Sequence, residues 1–447
     1  MRLRITLSAL LLGLVVLWLL WPRTPDPPPP EQPNVVLVVA CTLRADQTTL
    51  VDPSLETTPF LASLAEGGVW FADGIASAPW TRPAAGALLT GRHPGALGLS
   101  DPASGRSERR LPAEATTLAE HLRGAGYETL GVTTNPNLDP HYGFDAGFDA
   151  YASLSPLWDD GQVTKVDGRE AVAEALGLLD DRSRAGAPFH LQVVLVDAHL
   201  PYDLGPRAAR PFEAPGISPR VARYRAMVRA LDGAIEALHA GLEARGHDER
   251  DTLFLVVSDH GEGLNHPPHH GPGHGRYLYP STLEMVWLAS GPRLPRGHAV
   301  EGLVSQVDVL PTLLGHLGHP AGEVDGLDHS AAWLELRPPE RDHAFAQTRF
   351  RDVDRAAIYT PDQACLIGRD LERSLAVEER AGRPQFVEGC FDRRADPDFL
   401  HPFDDPDLEE ALRDWVATVD VDAPEESAAD DLDPDVRAHL ETLGYLE

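Results

Sequence analysis

The chain has 447 residues, 43% of them hydrophobic and 24% charged, so it can bury one large core or two and is too apolar to be wholly disordered. Its 38 basic residues stand against 69 acidic ones, a formal charge of −31, and a surface of that sign argues against sequence-independent binding to nucleic acid. Three cysteines are too few for a disulfide scaffold or a zinc ribbon, and Lys165 is the one lysine, leaving a single candidate for ε-amine chemistry.

Arg2 and Arg4 precede an apolar run from Ile5 to Trp21, broken only by Thr6, Ser8 and Gly13. A run of that length, at about 1.5 Å per residue, spans about 26 Å, enough for a thin bilayer. A cleaved signal peptide would want small residues before the cut, whereas this run ends Leu19-Leu20-Trp21-Pro22-Arg23. An uncleaved signal anchor over residues 1–22 is therefore expected. Its basic end should stay cytoplasmic, placing the body outside, periplasmic or at the cell surface. Residues 23–33, with six prolines between Thr24 and Pro33, read as a stiff linker.

From Asn34 onward, short apolar runs alternate with amphipathic stretches. Strands are predicted at Asn34–Ala40, Glu128–Thr134, Phe189–Val196, Leu253–Ser258 and Glu284–Ala289, several of them continuously apolar, as strands covered on both faces are. Helices are predicted at Pro59–Gly67, Pro83–Gly91, Ala115–Ala125, Arg169–Leu179, Val221–Ala244 and Val304–Leu317. Such alternation predicts an α/β fold with a mainly parallel sheet between helices, whose chemistry collects at the carboxyl ends of the strands. One domain should run over 34–335. A smaller C-terminal subdomain, 336–447, contains strand candidates Arg355–Tyr359 and Ala364–Ile367. Acidic runs at Asp404–Glu410 and Asp420–Asp435 read as solvated surface.

Four polar clusters sit where that architecture wants a site. Cys41 through Asp46 follow the first strand. Thr81 precedes a helix with Pro83 in its first turn, where free N–H groups favour an anion or an alkoxide; on local sequence alone it reads better as the cap of that helix. His199 lies just beyond a strand, in Asp197-Ala198-His199-Leu200-Pro201-Tyr202. Asp259 and His260 end another and are followed by His266, His269, His270 and His274. An adjacent Asp-His pair offers a carboxylate oxygen and an imidazole nitrogen to one cation.

Taken in order, these segments resemble the sulfatase family of the alkaline-phosphatase superfamily. The opening strand Pro33–Val39 with Thr42-Leu43-Arg44-Ala45-Asp46, the Pro79-Trp80-Thr81 to Leu88-Leu89-Thr90-Gly91 segment, His199-Leu200-Pro201-Tyr202 and Ser258-Asp259-His260-Gly261-Glu262 carry the likeness. Gly273-His274-Gly275, Val307-Asp308-Val309-Leu310-Pro311-Thr312 and Leu443-Gly444-Tyr445 extend it to the end of the chain. The resemblance implies an alkaline-phosphatase-like α/β/α sandwich with a small C-terminal sheet subdomain. It also implies a divalent cation, commonly calcium, and a hydroxyl nucleophile that attacks an ester's sulfur or phosphorus. By position, Asp259 and His260 would ligate the cation, Thr81 would be the nucleophile, and His199 and His274 would bind the ester oxygens or protonate the leaving group. Asn135 and Arg82 are the remaining candidates for holding the substrate's oxyanion.

The departures from the family pattern are specific. Cys41 stands where the family places a ligating aspartate; a thiol suits zinc and not calcium or magnesium, so Cys41 either rewires the site for zinc or is a small buried hydrophobe. Thr81 cannot become the formylglycine aldehyde that sulfatases make from Cys or Ser. Ala84 and Ala85 occupy the places of nucleophile-orienting polar residues, and Thr133-Thr134-Asn135-Pro136 that of a Gly-Lys-Trp-His segment. Three readings remain open: a membrane-anchored hydrolase of sulfate or phosphate esters with an altered metal site; a catalytically silent protein that binds a ligand or partner through the same cleft; and a phosphoryl or lipid-headgroup transferase. The substrate would be a small-molecule, glycan or lipid ester. Cys365 and Cys390 are free to pair in an extracytoplasmic site, which sequence alone does not decide.

Overall fold

The structure is a computed structural model and describes residues 30–99, 109–154, 158–159, 162–163, 165–184, 186–269, 271, 273–350, 353–369 and 386–419. The apolar run Ile5–Trp21, most of the proline-rich spacer, His270, the acidic run Asp420–Asp435 and the Leu443-Gly444-Tyr445 tail lie outside the described residues. Among the described residues no helix is long and apolar enough to cross a membrane.

Strand β1 (Asn34–Ala40) is Asn-Val-Val-Leu-Val-Val-Ala and buried at every position. Side chains alternate across a strand, so both faces must find apolar cover. Val35, Leu37 and Val39 pack with Trp80, Leu88 and Leu313 on one face; Val36, Val38 and Ala40 pack with Ala171, Leu231 and Ile235 on the other. The first face is covered by helices Thr81–Thr90 and Val309–Leu317, the second by Gly168–Asp180 and Pro219–Glu243. A parallel sheet with helices on both faces follows.

In chain order the other strands are β2 (Gly68–Ile75), β3 (Glu128–Thr133), β4 (Ala150–Ser153), β5 (Trp158–Asp159), β6 (Gln162–Val163), β7 (Phe189–Leu195), β8 (Thr252–Ser258), β9 (Glu284–Met285), β10 (Trp287–Ser290) and β11 (His298–Ser305). The main sheet is nine-stranded, in the order β11-β2-β10-β8-β1-β7-β3-β4, with β9 paired to β2. Strands β8, β1, β7, β3 and β4 run parallel, whereas β10 is antiparallel to both its neighbours. A second, four-stranded antiparallel sheet comprises β12 (Ala344–Phe350), β13 (Val353–Tyr359), β14 (Gln363–Gly368) and β15 (Gly389–Asp392). Helix Pro406–Val419 packs Leu408 and Leu412 against Ile358 and Cys365 of that sheet. Cys365 and Cys390, opposite each other on β14 and β15, form a disulfide.

Two sequence expectations need correction. Val304–Leu317 is not one helix: Ser305 N donates to Asp308 Oδ2 at 2.8 Å in a capping box, so β11 ends at Ser305 and the α-helix runs Val309–Leu317. Glu284–Ala289 is likewise two short strands, broken at Val286, whose N–H donates to Ser258 Oγ at 2.8 Å.

Candidate functional site

Register places the site. Ala40 on β1 lies opposite Leu195 of β7 and Ser258 of β8, so the chain leaves all three strands at one height. The next residues are Cys41, Val196 and Asp259, and Thr134-Asn135 leave β3 beside them. Thr81, the first residue of helix Thr81–Thr90, comes in over this edge.

Four side chains from four segments converge. Thr81 Oγ1 is 3.5 Å from Cys41 Sγ, 3.4 Å from His260 Nε2 and 3.2 Å from Asn135 Nδ2. Asn135 Nδ2 also donates to Cys41 Sγ at 3.3 Å. The amide is oriented unambiguously, because Asn135 Oδ1 accepts from Asn137 N at 2.9 Å and from Asn137 Nδ2 at 3.2 Å. The Thr81 hydroxyl thus faces the strand ends in addition to opening the helix.

Asp259 is held with equal definition. Its Oδ1 accepts from Thr42 N at 2.9 Å and from His260 N at 2.7 Å. Its Oδ2 is buried with no hydrogen-bond partner among the described residues and lies 3.5 Å from His260 Nε2. His260 Nδ1 donates to Gly261 O at 2.8 Å, which leaves the Nε2 lone pair facing Thr81 and Asp259. Thr42 adopts φ 57°, a left-handed conformation unfavourable for a β-branched residue, and three contacts hold it there. They are the bond to Asp259, Thr42 Oγ1 to Cys41 O at 2.7 Å, and Tyr224 Oη to Thr42 O at 2.7 Å.

The histidines divide into two groups. His274 lies with its ring 4.4 Å from the His260 ring, tilted, and 5.0 Å from that of His199, edge-on, and its Nδ1 donates to Glu262 Oε1 at 3.2 Å. His199 Nδ1 donates to Leu200 O at 2.6 Å. His266 instead faces Asp398 at 3.6 Å, and His269 is buried against Tyr277. The histidine density of this loop therefore serves the site at His260 and His274 only, among the described residues. Arg82 lies 3.5 Å over the Tyr142 ring and donates to Asn137 Oδ1 at 3.1 Å, reaching the cluster through Asn137 and Asn135.

Three participants were not assigned a role from sequence. Glu262 is fully buried; Tyr202 Oη donates to its Oε2 at 3.4 Å, and Arg44 Nη1 donates to its backbone carbonyl at 3.0 Å. Lys165 Nζ donates to Asp197 O at 2.8 Å and to His199 O, tying down the turn that carries His199. Tyr224 braces Thr42 from helix Pro219–Glu243. A polar residue next to a motif was the only available signal, because the contacts span up to 218 residues of sequence.

Burial dominates the electrostatics. It pushes the Cys41 thiol well above its ordinary range, with the Asp259 charge adding to the effect. It drives His260 and His274 down to about 4 and His199 to about 3, so all three imidazoles are neutral at pH 7. Burial also lowers Lys165 to about 8 and raises Asp197 to about 6.

The family model described as Sulfatase matches residues 33–319, well over half of the chain and all four site segments. The chain belongs to the sulfatase family. It is 30% identical over 375 residues to arylsulfatase A of Bos taurus, covering 72% of this chain and 71% of that one. It is 27% identical over 286 residues to a low-salt glycan biosynthesis sulfotransferase of Haloferax volcanii, covering 60% and 59% respectively. Among solved structures, that of Ps i-CgsB in complex with k-i-k-neocarrahexaose superposes with a TM-score of 0.67 at 20% identity, covering 86% of this chain and 92% of that one. The sulfatase fold is thereby shown, with the mixed main sheet and the small C-terminal sheet that the resemblance implied.

Sulfatases typically bind a divalent metal, and the donor set of this sulfatase can be tested for one. Cys41, Asp259 and His260 each offer a ligand atom, all within 4.8 Å of one another and all buried. An unpartnered buried carboxylate oxygen is costly unless something meets it, and Asp259 Oδ2 is aimed at this space. One sulfur, one nitrogen and one carboxylate form a zinc-type donor set; calcium takes six to eight oxygens, which these residues do not supply.

Proposed function

We propose that this sulfatase-family chain hydrolyses sulfate or phosphate esters, phosphate the better fit, with Thr81 as nucleophile and a zinc-type ion on Cys41, Asp259 and His260. The supporting observation is the Thr81 hydroxyl itself, within 3.5 Å of Cys41 Sγ, His260 Nε2 and Asn135 Nδ2. Such an ion, when bound, stabilises negative charge on ester oxygens and favours the alkoxide form of a nearby hydroxyl.

The chain's own residues supply the rest. Thr81 Oγ1 bonds to phosphorus as the bond to the leaving oxygen breaks, and the proton lost by the hydroxyl ends on the leaving oxygen, which departs as the alcohol; water then attacks the threonine ester, its oxygen leaving with the phosphate and one of its protons restoring the hydroxyl. Asn135 Nδ2 donates to the reacting oxygen from a fixed amide, so no reorganisation is needed as charge develops. His199 and His274 are neutral in the buried site, and an arriving dianion draws protons onto them, making them donors to the ester oxygens. Phosphate is preferred because a threonine ester offers no counterpart of the aldehyde-hydrate route by which a formylglycine sheds sulfate.

A second reading, a silent binding protein, is favoured by a different observation. Cys41, Thr81, Asp259 and His260 are all fully buried, and Cys41 is driven toward the neutral thiol. Turnover separates the two. Purified protein supplied with zinc should release p-nitrophenol from p-nitrophenyl phosphate faster than from p-nitrophenyl sulfate. Release from neither compound, with zinc bound, supports the silent protein. A transfer reaction, the activity named for the Haloferax relative, would instead yield a labelled acceptor.

The body is proposed to lie outside the cytoplasm, tethered by residues 1–22. The Cys365–Cys390 disulfide supports an oxidising compartment.

A further inference from the structure

Glu262 joins the two segments that carry His199 and His274. Its side chain is wholly buried, and a carboxylate so placed is costly unless donors meet it. Among the described residues three do. Oε1 accepts from His274 Nδ1 at 3.2 Å and from Gly263 N at 3.1 Å, and Oε2 accepts from Tyr202 Oη at 3.4 Å. Tyr202 belongs to the His199-Leu200-Pro201-Tyr202 turn, 60 residues away in sequence, whereas His274 lies at the far end of the histidine-rich loop.

The backbone serves the same contact. Gly263 N also donates to Gly273 O at 3.2 Å, which folds the loop back and brings His274 beside the carboxylate. That approach needs a glycine, since a Cβ on residue 263 would stand 2.1 Å from the His269 ring and 2.5 Å from Gly273 O. Glu262 is itself pinned through its main chain, its N–H donating to Ser281 O at 3.0 Å and its carbonyl accepting from Arg44 Nη1 at 3.0 Å. The carboxylate therefore has a fixed place relative to both histidines.

We propose that Glu262 is a positioning residue, whose carboxylate fixes the tautomer and orientation of His274 and, through that ring, the site's hold on the ester oxygens. The inference rests on His274 meeting such an oxygen, as in the hydrolase reading. A carboxylate only accepts, so the imidazole carries its proton on Nδ1, and Nε2 is the nitrogen that exchanges a proton with the substrate. A ring held in this way needs no reorganisation when the substrate's charge arrives. Glutamine cannot repeat the arrangement. All three present contacts donate to Glu262, so the NH2 of a glutamine must either displace the Tyr202 hydrogen or turn onto His274 and reverse its tautomer.

The test is a double-mutant cycle on the full chain supplied with zinc, with inorganic phosphate as the probe and calorimetry as the readout. Glu262→Gln should weaken phosphate binding at least tenfold in the wild-type background. In a His274→Ala background the same change should cost less than twofold, because the carboxylate has no ring left to orient. Equal losses in the two backgrounds, or none in either, overturn the proposal, as does wild-type protein that binds no phosphate. Should Glu262→Gln not fold, Tyr202→Phe removes one donor to the carboxylate: a severalfold loss confined to chains that keep His274 is expected, and an equal loss without His274 contradicts it. The tautomer is read directly by 15N NMR of the His274 ring, assigned by its disappearance in His274→Ala; Nδ1 should carry the proton, and a proton on Nε2 alone overturns the proposal. Protein that binds phosphate with this dependence yet releases no p-nitrophenol would end the hydrolase reading and leave the positioning role standing.

Discussion

Thr81→Ala is expected to lower turnover of p-nitrophenyl phosphate by at least about a thousandfold, the scale seen when a nucleophile is removed and its partners are left in place. The side chain is wholly buried, and the substitution removes only a hydroxyl and a methyl group. Asn135 Nδ2 keeps its bond to Cys41 Sγ but loses the one to Thr81 Oγ1, so the folding cost should be about 1–3 kcal/mol. A melting temperature within a few degrees of wild type would establish that chemistry, not folding, was lost. Thr81→Ser keeps the oxygen and should retain activity. If Thr81→Ala turns over substrate within tenfold of wild type, Thr81 has no part in the reaction.

The largest effect on stability is expected away from the site, at Asp308. This fully buried carboxylate accepts from Ser305 N at 2.8 Å, Leu327 N at 2.7 Å, His329 Nε2 at 3.1 Å and Arg341 Nε at 2.7 Å. Arg341 Nη2 adds a second guanidinium contact. Burial alone would raise its pKa; the His329 bond and the Arg341 charge outweigh burial and hold it below the usual carboxylate range. Asp308→Ala leaves Arg341 buried and uncompensated, which costs about 3–5 kcal/mol. The sign in pH follows from the depressed value. The unfolded carboxyl titrates near about 3.9, so the contribution is complete above that pH and is lost as pH falls through the lower folded value. Urea midpoints should therefore differ widely at pH 7 and converge toward pH 2. A midpoint unchanged at pH 7 would show that the network contributes nothing net.

Legibility in the sequence followed burial. Strand β1 could be read to the residue because all seven of its positions are buried on a sheet covered on both faces. Strands β2 and β11 were missed. The first carries Asp73 and Gly74; the second carries Glu301 and Gly302 at a register shift between Val300 and Leu303, and its exposed positions break the apolar pattern. The site behaved similarly. Cys41, Thr81, His199 and Asp259 were legible because parallel-sheet topology gathers strand ends at one edge. Glu262, Lys165 and Tyr224 were not, because their roles are made by contacts across long stretches of chain that no local spacing encodes. Within the histidine-rich loop, spacing alone does not separate His274, which reaches the site, from His266 and His269, which the folded backbone turns elsewhere.

Metal content tests the joined site most directly. Protein purified without chelator and dialysed against zinc should carry one zinc per chain, and Cys41→Ser should weaken zinc binding by at least about tenfold, since a thiolate ligand would be replaced by a poor one. Retention of calcium in place of zinc, no stoichiometric divalent ion, or zinc affinity indifferent to Cys41→Ser would contradict a thiolate–carboxylate–imidazole centre beside Thr81.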